Sequence, residues 1–102
     1  MADDALTWLE DWYASQCDGL WEHGYGIEIG NIDNPGWTLK IDLIGTNLQN
    51  TPFEEAQHNF DDEVSWWKCW RDAGEFHAVC GARNLRSVIE VFRAWVETNQ
   101  PK

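Results

Sequence analysis

The run from Cys17 to Leu43, CDGLWEHGYGIEIGNIDNPGWTLKIDL, constrains the fold more than any other part of the chain. It opens on Asp18-Gly19, a helix stop in which glycine is free to take the left-handed conformation. Tyr25, Ile27 and Ile29 then alternate with Gly26 and Glu28. Asp33-Asn34-Pro35-Gly36 is a turn signal: proline pre-sets one dihedral and glycine accepts positive φ at the next. Trp37, Leu39, Ile41 and Leu43 follow, alternating with Thr38, Lys40 and Asp42, the pattern of a strand with one wet face. The segment reads as a β-hairpin whose apolar face must be covered by something else.

Two helices are available to cover it. The first is expected over Asp4 to Gln16, capped by Asp3 or Asp4, with Leu6, Leu9, Tyr13 and Cys17 on its apolar face, Ala5 and Trp12 flanking and Trp8 further round. The second follows Asn84, a good N-cap residue. Leu85, Val88, Ile89, Phe92, Trp95 and Val96 repeat there at helical spacing, and Thr98 to Lys102 reads as a frayed tail. Between them Gly45 to Pro52 is a loop, Phe53 to Phe60 an ambiguous edge strand and Asp61-Asp62-Glu63 a charged turn. Val64 to Arg71 and Phe76 to Cys80 form a second hairpin about Asp72-Ala73-Gly74-Glu75. The expected fold is α+β in one domain over 1–102. It is an antiparallel meander of four or five strands, with the N-terminal and C-terminal helices packed on one face.

In the second hairpin both faces are apolar. Trp67, Cys69, Phe76, Ala78 and Cys80 share one parity; Val64, Trp66, Trp70, His77 and Val79 share the other. If the helices cover the first set, with Ile27, Ile29, Leu39 and Ile41, then Trp66 and Trp70 lie on the open face beside Lys68. Exposed aromatics of that kind suit a binding surface. The bland alternative is cover by the loop from Gly45 to Pro52 or by a second copy. Eight tryptophans in 102 residues are hard to hide completely.

The formal charge of −11 repels phosphate backbones and anionic lipids, so neither nucleic acid nor membrane is an expected partner. A basic protein would be steered in quickly; the plain alternative is that the charge serves solubility. The acidic start MADDALTW carries no apolar leader and no apolar run approaches spanning length, so a cytoplasmic location is expected. Cys17, Cys69 and Cys80 are odd in number, without a CxxC, and are expected to be reduced packing residues.

No catalytic constellation competes for attention. His23, His58 and His77 fit no metal-ligand spacing, so no metal and no cofactor are expected. A Cys17–His23 thiol pair would sit beside Asp18 and Glu22, where a thiolate is disfavoured. The many adjacent carboxylates lack any sign of a cleft.

Several pieces together resemble the immunity protein 53 family of bacterial polymorphic toxin systems. They are Trp8-x3-Trp12-Tyr13, Cys17-Asp18-Gly19-x-Trp21-Glu22-His23-x-Tyr25-Gly26, Asp33-Asn34-Pro35-Gly36-Trp37, Ile41-Asp42-Leu43, Gly45-Thr46, Pro52-Phe53-Glu54-Glu55 and the helix after Asn84-Leu85. The resemblance implies a non-enzymatic antidote that binds a cognate toxin domain, and a basic toxin such as a nuclease suits the charge. The expected partner-binding residues are Asp18, Glu22, Asp33, Asp42, Glu54, Glu55, Asp61, Asp62 and Glu63, with Trp66 and Trp70 as aromatic anchors. Asp18, Glu22 and Asp33 have a second reading as caps of turns and helix ends. Two other classes stay open: a small-molecule binder or small enzyme with a Trp-lined pocket near Trp12, Trp21 and Tyr25, and a homodimer that buries the Trp66/Trp70 patch. The chain itself is expected as monomer or homodimer.

Overall fold

The structure, a computed structural model, describes residues 4–59 and 61–100. Helix α1 (Ala5–Gln16) begins at Asp4, whose Oδ1 accepts a 2.7 Å bond from the Thr7 amide. A short helix α2 (Trp21–Gly24) leads into β1 (Ile27–Ile32) and β2 (Gly36–Asp42). After a loop come β3 (Ala56–His58), β4 (Trp67–Asp72), β5 (Glu75–Gly81) and the closing helix α3 (Leu85–Thr98). The class is α+β, with a five-stranded antiparallel sheet and the two long helices in one core with it.

Strand order is β1-β2-β5-β4-β3. Neighbours follow chain order within β1–β2 and within β3–β4–β5, but β2 pairs with β5, so the arrangement departs from a simple meander. That pairing sets Gly36 opposite Gly81. A Cβ on Gly36 would lie 2.2 Å from the Cys80 carbonyl oxygen, so only glycine lets the two hairpins come together there. Gly36 does not take the positive φ expected of it in the turn. Positive φ occurs instead at Gly19, Gly45 and Gly74; Gly36 is the first residue of β2. Asp33, Asn34 and Pro35 alone make the turn.

One sheet face carries Leu39, Ile41, Cys69, Phe76, Ala78 and Cys80, all buried with Val88, Ile89, Phe92, Trp95 and Val96 of α3. The apolar stripe of α1 is rotated from its expected position. Ala5, Leu9 and Trp12 are buried, while Leu6 and Tyr13 are exposed. The ring area of Trp8 and Trp12 decides this: both pack edge-on against Phe92, at 5.9 and 5.0 Å between centroids. Ile29 is also exposed, because it lies on the outermost strand. Cys17 is half-buried rather than fully packed; its Sγ lies 3.3 Å from the Tyr13 carbonyl oxygen.

Tryptophan indoles tie loops to this core. Trp21 Nε1 donates to the Ile44 carbonyl, Trp37 Nε1 to Ala82 and Trp95 Nε1 to Pro52, each at 2.9 Å. Arg71 holds the loop before β3, donating to the carbonyls of Leu48 (2.8 Å), Thr51 (3.0 Å) and Gln49. That loop in turn buries Leu48 completely.

Candidate partner-binding surface

The acidic residues separate into those that serve the chain's own backbone and those that do not. Asp18 Oδ1 accepts from the amides of Leu20 and Trp21, both at 2.9 Å. Glu22 accepts from Asp18 (3.0 Å) and Gly19 (2.9 Å). Backbone N–H bonds hold both carboxyls below their ordinary range. Asp42 Oδ2 accepts from the Gly26 amide at 2.9 Å. Asp62 Oδ1 accepts from Val64 (2.7 Å) and Ser65 (3.1 Å), which likewise lowers its pKa. For Asp18 and Glu22 the capping role is therefore the one the structure displays. Glu55 lies 3.5 Å from Lys68. Asp33, Glu54, Asp61 and Glu63 are exposed and make no such bond among the described residues.

Three of these four gather at one end of the sheet. The β1–β2 turn and the loop before β4 face each other there across a cleft of about 590 Å³. Asn34 and Pro35 line one side; Asp61, Asp62, Glu63 and Val64 line the other, with Trp66 between. Asp33 adjoins the cleft through the same turn. The strands bring these segments together because Trp37, Cys80 and Trp67 lie in register across β2, β5 and β4.

Trp66 is not the exposed anchor its parity suggested. It is only 8 % exposed. It precedes β4, and there the chain has turned inward: the Gly81 amide donates to its carbonyl (2.9 Å) and its own amide donates to Asn84 Oδ1 (3.3 Å). A Cβ on Gly81 would approach the Trp66 ring at 3.3 Å. Asn84 also donates from Nδ2 to Ser65 Oγ at 3.3 Å, so its side chain bridges to this loop and does not cap α3. Nothing in the spacing of the sequence marked that role.

Trp70 does lie on the open face, half-buried. It stacks on His77 at 5.4 Å with the ring planes 12° apart, and the Lys68 ammonium sits 5.9 Å from its ring centre. His77 Nε2 lies 3.1 Å from Glu75, and Lys40 lies between Glu28 (3.5 Å) and Glu75 (3.6 Å). These two carboxylates raise the Lys40 pKa. The open face is thus a ladder of matched charges, whereas the cleft is a place of unmatched negative charge.

Trp12 and Trp21 belong to the core. They are buried against each other, 6.2 Å apart and nearly perpendicular. Tyr25 instead borders a shallow groove of about 460 Å³ lined by Leu6, Leu9, Glu10, Tyr13, Gly26, Ile27 and Ile29. Cys69 and Cys80 are buried, and burial pushes the Cys69 thiol up to about 12, so neither is a poised nucleophile. Among the described residues no three His, Cys, Asp or Glu side chains gather as metal ligands, and no helix is long and apolar enough to cross a membrane.

No curated protein and no solved structure matches the chain. One family model does, over residues 6–97, which takes in the whole sheet and all but one end residue of each long helix. The chain belongs to the Immunity protein 53 family.

Proposed function

We propose that this protein neutralises a cognate bacterial toxin domain by stoichiometric binding in the cytoplasm, with no chemistry of its own, and that the toxin is basic. A nuclease suits best, because a site that holds nucleic acid is itself cationic. The observation that carries this reading is the distribution of charge. Lys40, Lys68 and Arg93 are engaged by the chain's own carboxylates, and Arg71 by loop carbonyls. Asp33, Asp61 and Glu63 stay unmatched around the cleft beside Trp66. A cluster of free carboxylates at one end presents a cationic partner with a preferred approach.

Ionic strength tests this. Association with a cognate toxin domain is expected to slow by roughly tenfold or more between low and high salt, while dissociation changes little. An association rate flat across that range sinks the acidic surface as the docking site.

A further inference from the structure

The two edges of the sheet are unequal. β3 closes one edge with three residues; β1 forms the other with six. The Gly26 carbonyl accepts from the Asp42 amide. Backbone groups alternate sides along an antiparallel strand. Continuing that alternation from Gly26 turns Glu28, Gly30 and Ile32 toward β2, so Ile27, Ile29 and Asn31 direct their N–H and C=O groups outward, away from the sheet. The side chain of Ile29, 42 % exposed, lies on the same edge beside Leu6 (58 %) and Tyr13 (38 %) of α1. A long edge whose backbone is unpaired among the described residues, with an apolar groove beneath it, is a template for an added strand.

We propose that the outer edge of β1 receives an extended segment of the toxin, which pairs with the backbone of Ile27, Ile29 and Asn31 and sets apolar side chains against Leu6 and Tyr13. The proposal rests on the toxin-binding reading above and supplies its mode of contact. Charge selects the occupant. Glu10 borders the groove on one face, Glu28 projects from β1 on the other with its side chain 78 % exposed, and Asp33 follows the strand's end. A basic strand complements Glu10 and Asp33, while Glu28 is shared with Lys40. A second copy of this chain would bring the same carboxylates against themselves, on two molecules that each carry −11. β1 also runs directly into the turn that forms one side of the acidic cleft, so a single bound segment can follow the edge toward the cleft.

The test uses the cognate toxin domain, silenced in its active site. Amide hydrogen exchange is measured on the free chain and on the complex, together with affinity for Ile29→Pro and Leu6→Lys. The proline removes an outward N–H and leaves the bonds to β2 in place. The amides of Ile27, Ile29 and Asn31 are expected to exchange freely alone and to become protected in the complex, and each variant is expected to bind roughly tenfold or more weakly. If Ile29→Pro fails to fold, the exchange data and Leu6→Lys decide. Tight wild-type binding that leaves those three amides unprotected overturns strand addition while leaving toxin binding intact. A free chain that is already dimeric, with those amides protected, assigns the edge to a second copy and overturns the proposal. No binding by the wild-type chain removes the functional reading and this one with it.

Discussion

Asn84 stands at the first turn of α3 with a side chain suited to cap it, yet both polar atoms reach across to Ser65 and Trp66. The choice follows from burial. Asn84 is 8 % exposed, and the Trp66 amide it satisfies belongs to an equally buried residue. An unpaired amide there would cost more than a helix end open to solvent. Asn84→Ala is therefore expected to destabilise the fold by about 1–3 kcal/mol, the cost of leaving a buried donor unsatisfied. Asn84→Ser, a good cap but too short for the bridge, is expected to recover little of that loss. Urea unfolding of the three proteins checks it; full recovery by serine would return Asn84 to the capping role. Because Asn84 fixes the backbone of Trp66, the same variants report on the wall of the acidic cleft.

At the level of elements, the knot between α1 and α2 is built from two carboxylates and four backbone amides. Asp18 takes the amides of Leu20 and Trp21, and Glu22 takes those of Asp18 and Gly19. Both pKa values lie lower in the fold than their ordinary values of 3.8 and 4.5. A depressed folded value means that the unfolded chain binds protons first. The stabilisation is complete above the ordinary carboxylate range and is lost as pH falls through it and then through the folded values. Glu22→Gln is expected to lower the melting temperature by a few degrees near pH 7 and by progressively less toward pH 3, in a thermal melt series. A pH-independent difference would mean that the carboxylate charge is irrelevant to the knot. This knot was half legible: Asp18-Gly19 marked a stop, and Gly19 takes φ +93°, but α2 was invisible because four residues carry no periodicity. Strand β2 was legible through strict alternation, β5 through the turn Asp72-Ala73-Gly74-Glu75 that leads into it, and α3 through its repeat of apolar residues. The stripe of α1 was misplaced because spacing fits two overlapping faces, Leu6-Leu9-Tyr13 and Ala5-Leu9-Trp12; only the aromatic partner Phe92 on α3 chooses between them. Of the residues that line the cleft, Asp61, Asp62, Glu63 and Trp66 stood out in the sequence, but among acids spread along the chain and with Trp66 expected on the open face. The assembly of the cleft was not legible, because it depends on the β2–β5 pairing, a long-range contact that no local pattern encodes.

At the scale of the whole molecule, the charge of −11 acts as a field, and individual carboxylates act as contacts. The two can be separated by removing equal charge in different places. Asp61→Asn with Glu63→Gln neutralises two carboxylates at the cleft; Asp18→Asn with Glu22→Gln neutralises two that are bound to backbone. In very dilute salt the Debye length is about 30 Å, close to the width of this molecule, and both pairs are expected to slow capture of a basic toxin domain to a similar degree. Near physiological salt the length falls to about 8 Å, so only charges close to the contact still count. There the Asp61/Glu63 pair is expected to weaken binding several-fold while the Asp18/Glu22 pair leaves it nearly unchanged. Stability should respond the other way. The first pair removes self-repulsion without breaking a hydrogen bond among the described residues, so its melting temperature holds or rises slightly. The second removes the charge from the bonds to four amides and replaces one accepting oxygen of Glu22 by an NH2 group, so its melting temperature falls. Stopped-flow association at two ionic strengths, with thermal melts of the free variants, resolves the four quantities. Equal effects of the two pairs on binding near physiological salt would show that the toxin feels only the total charge, and would place its contact away from the cleft.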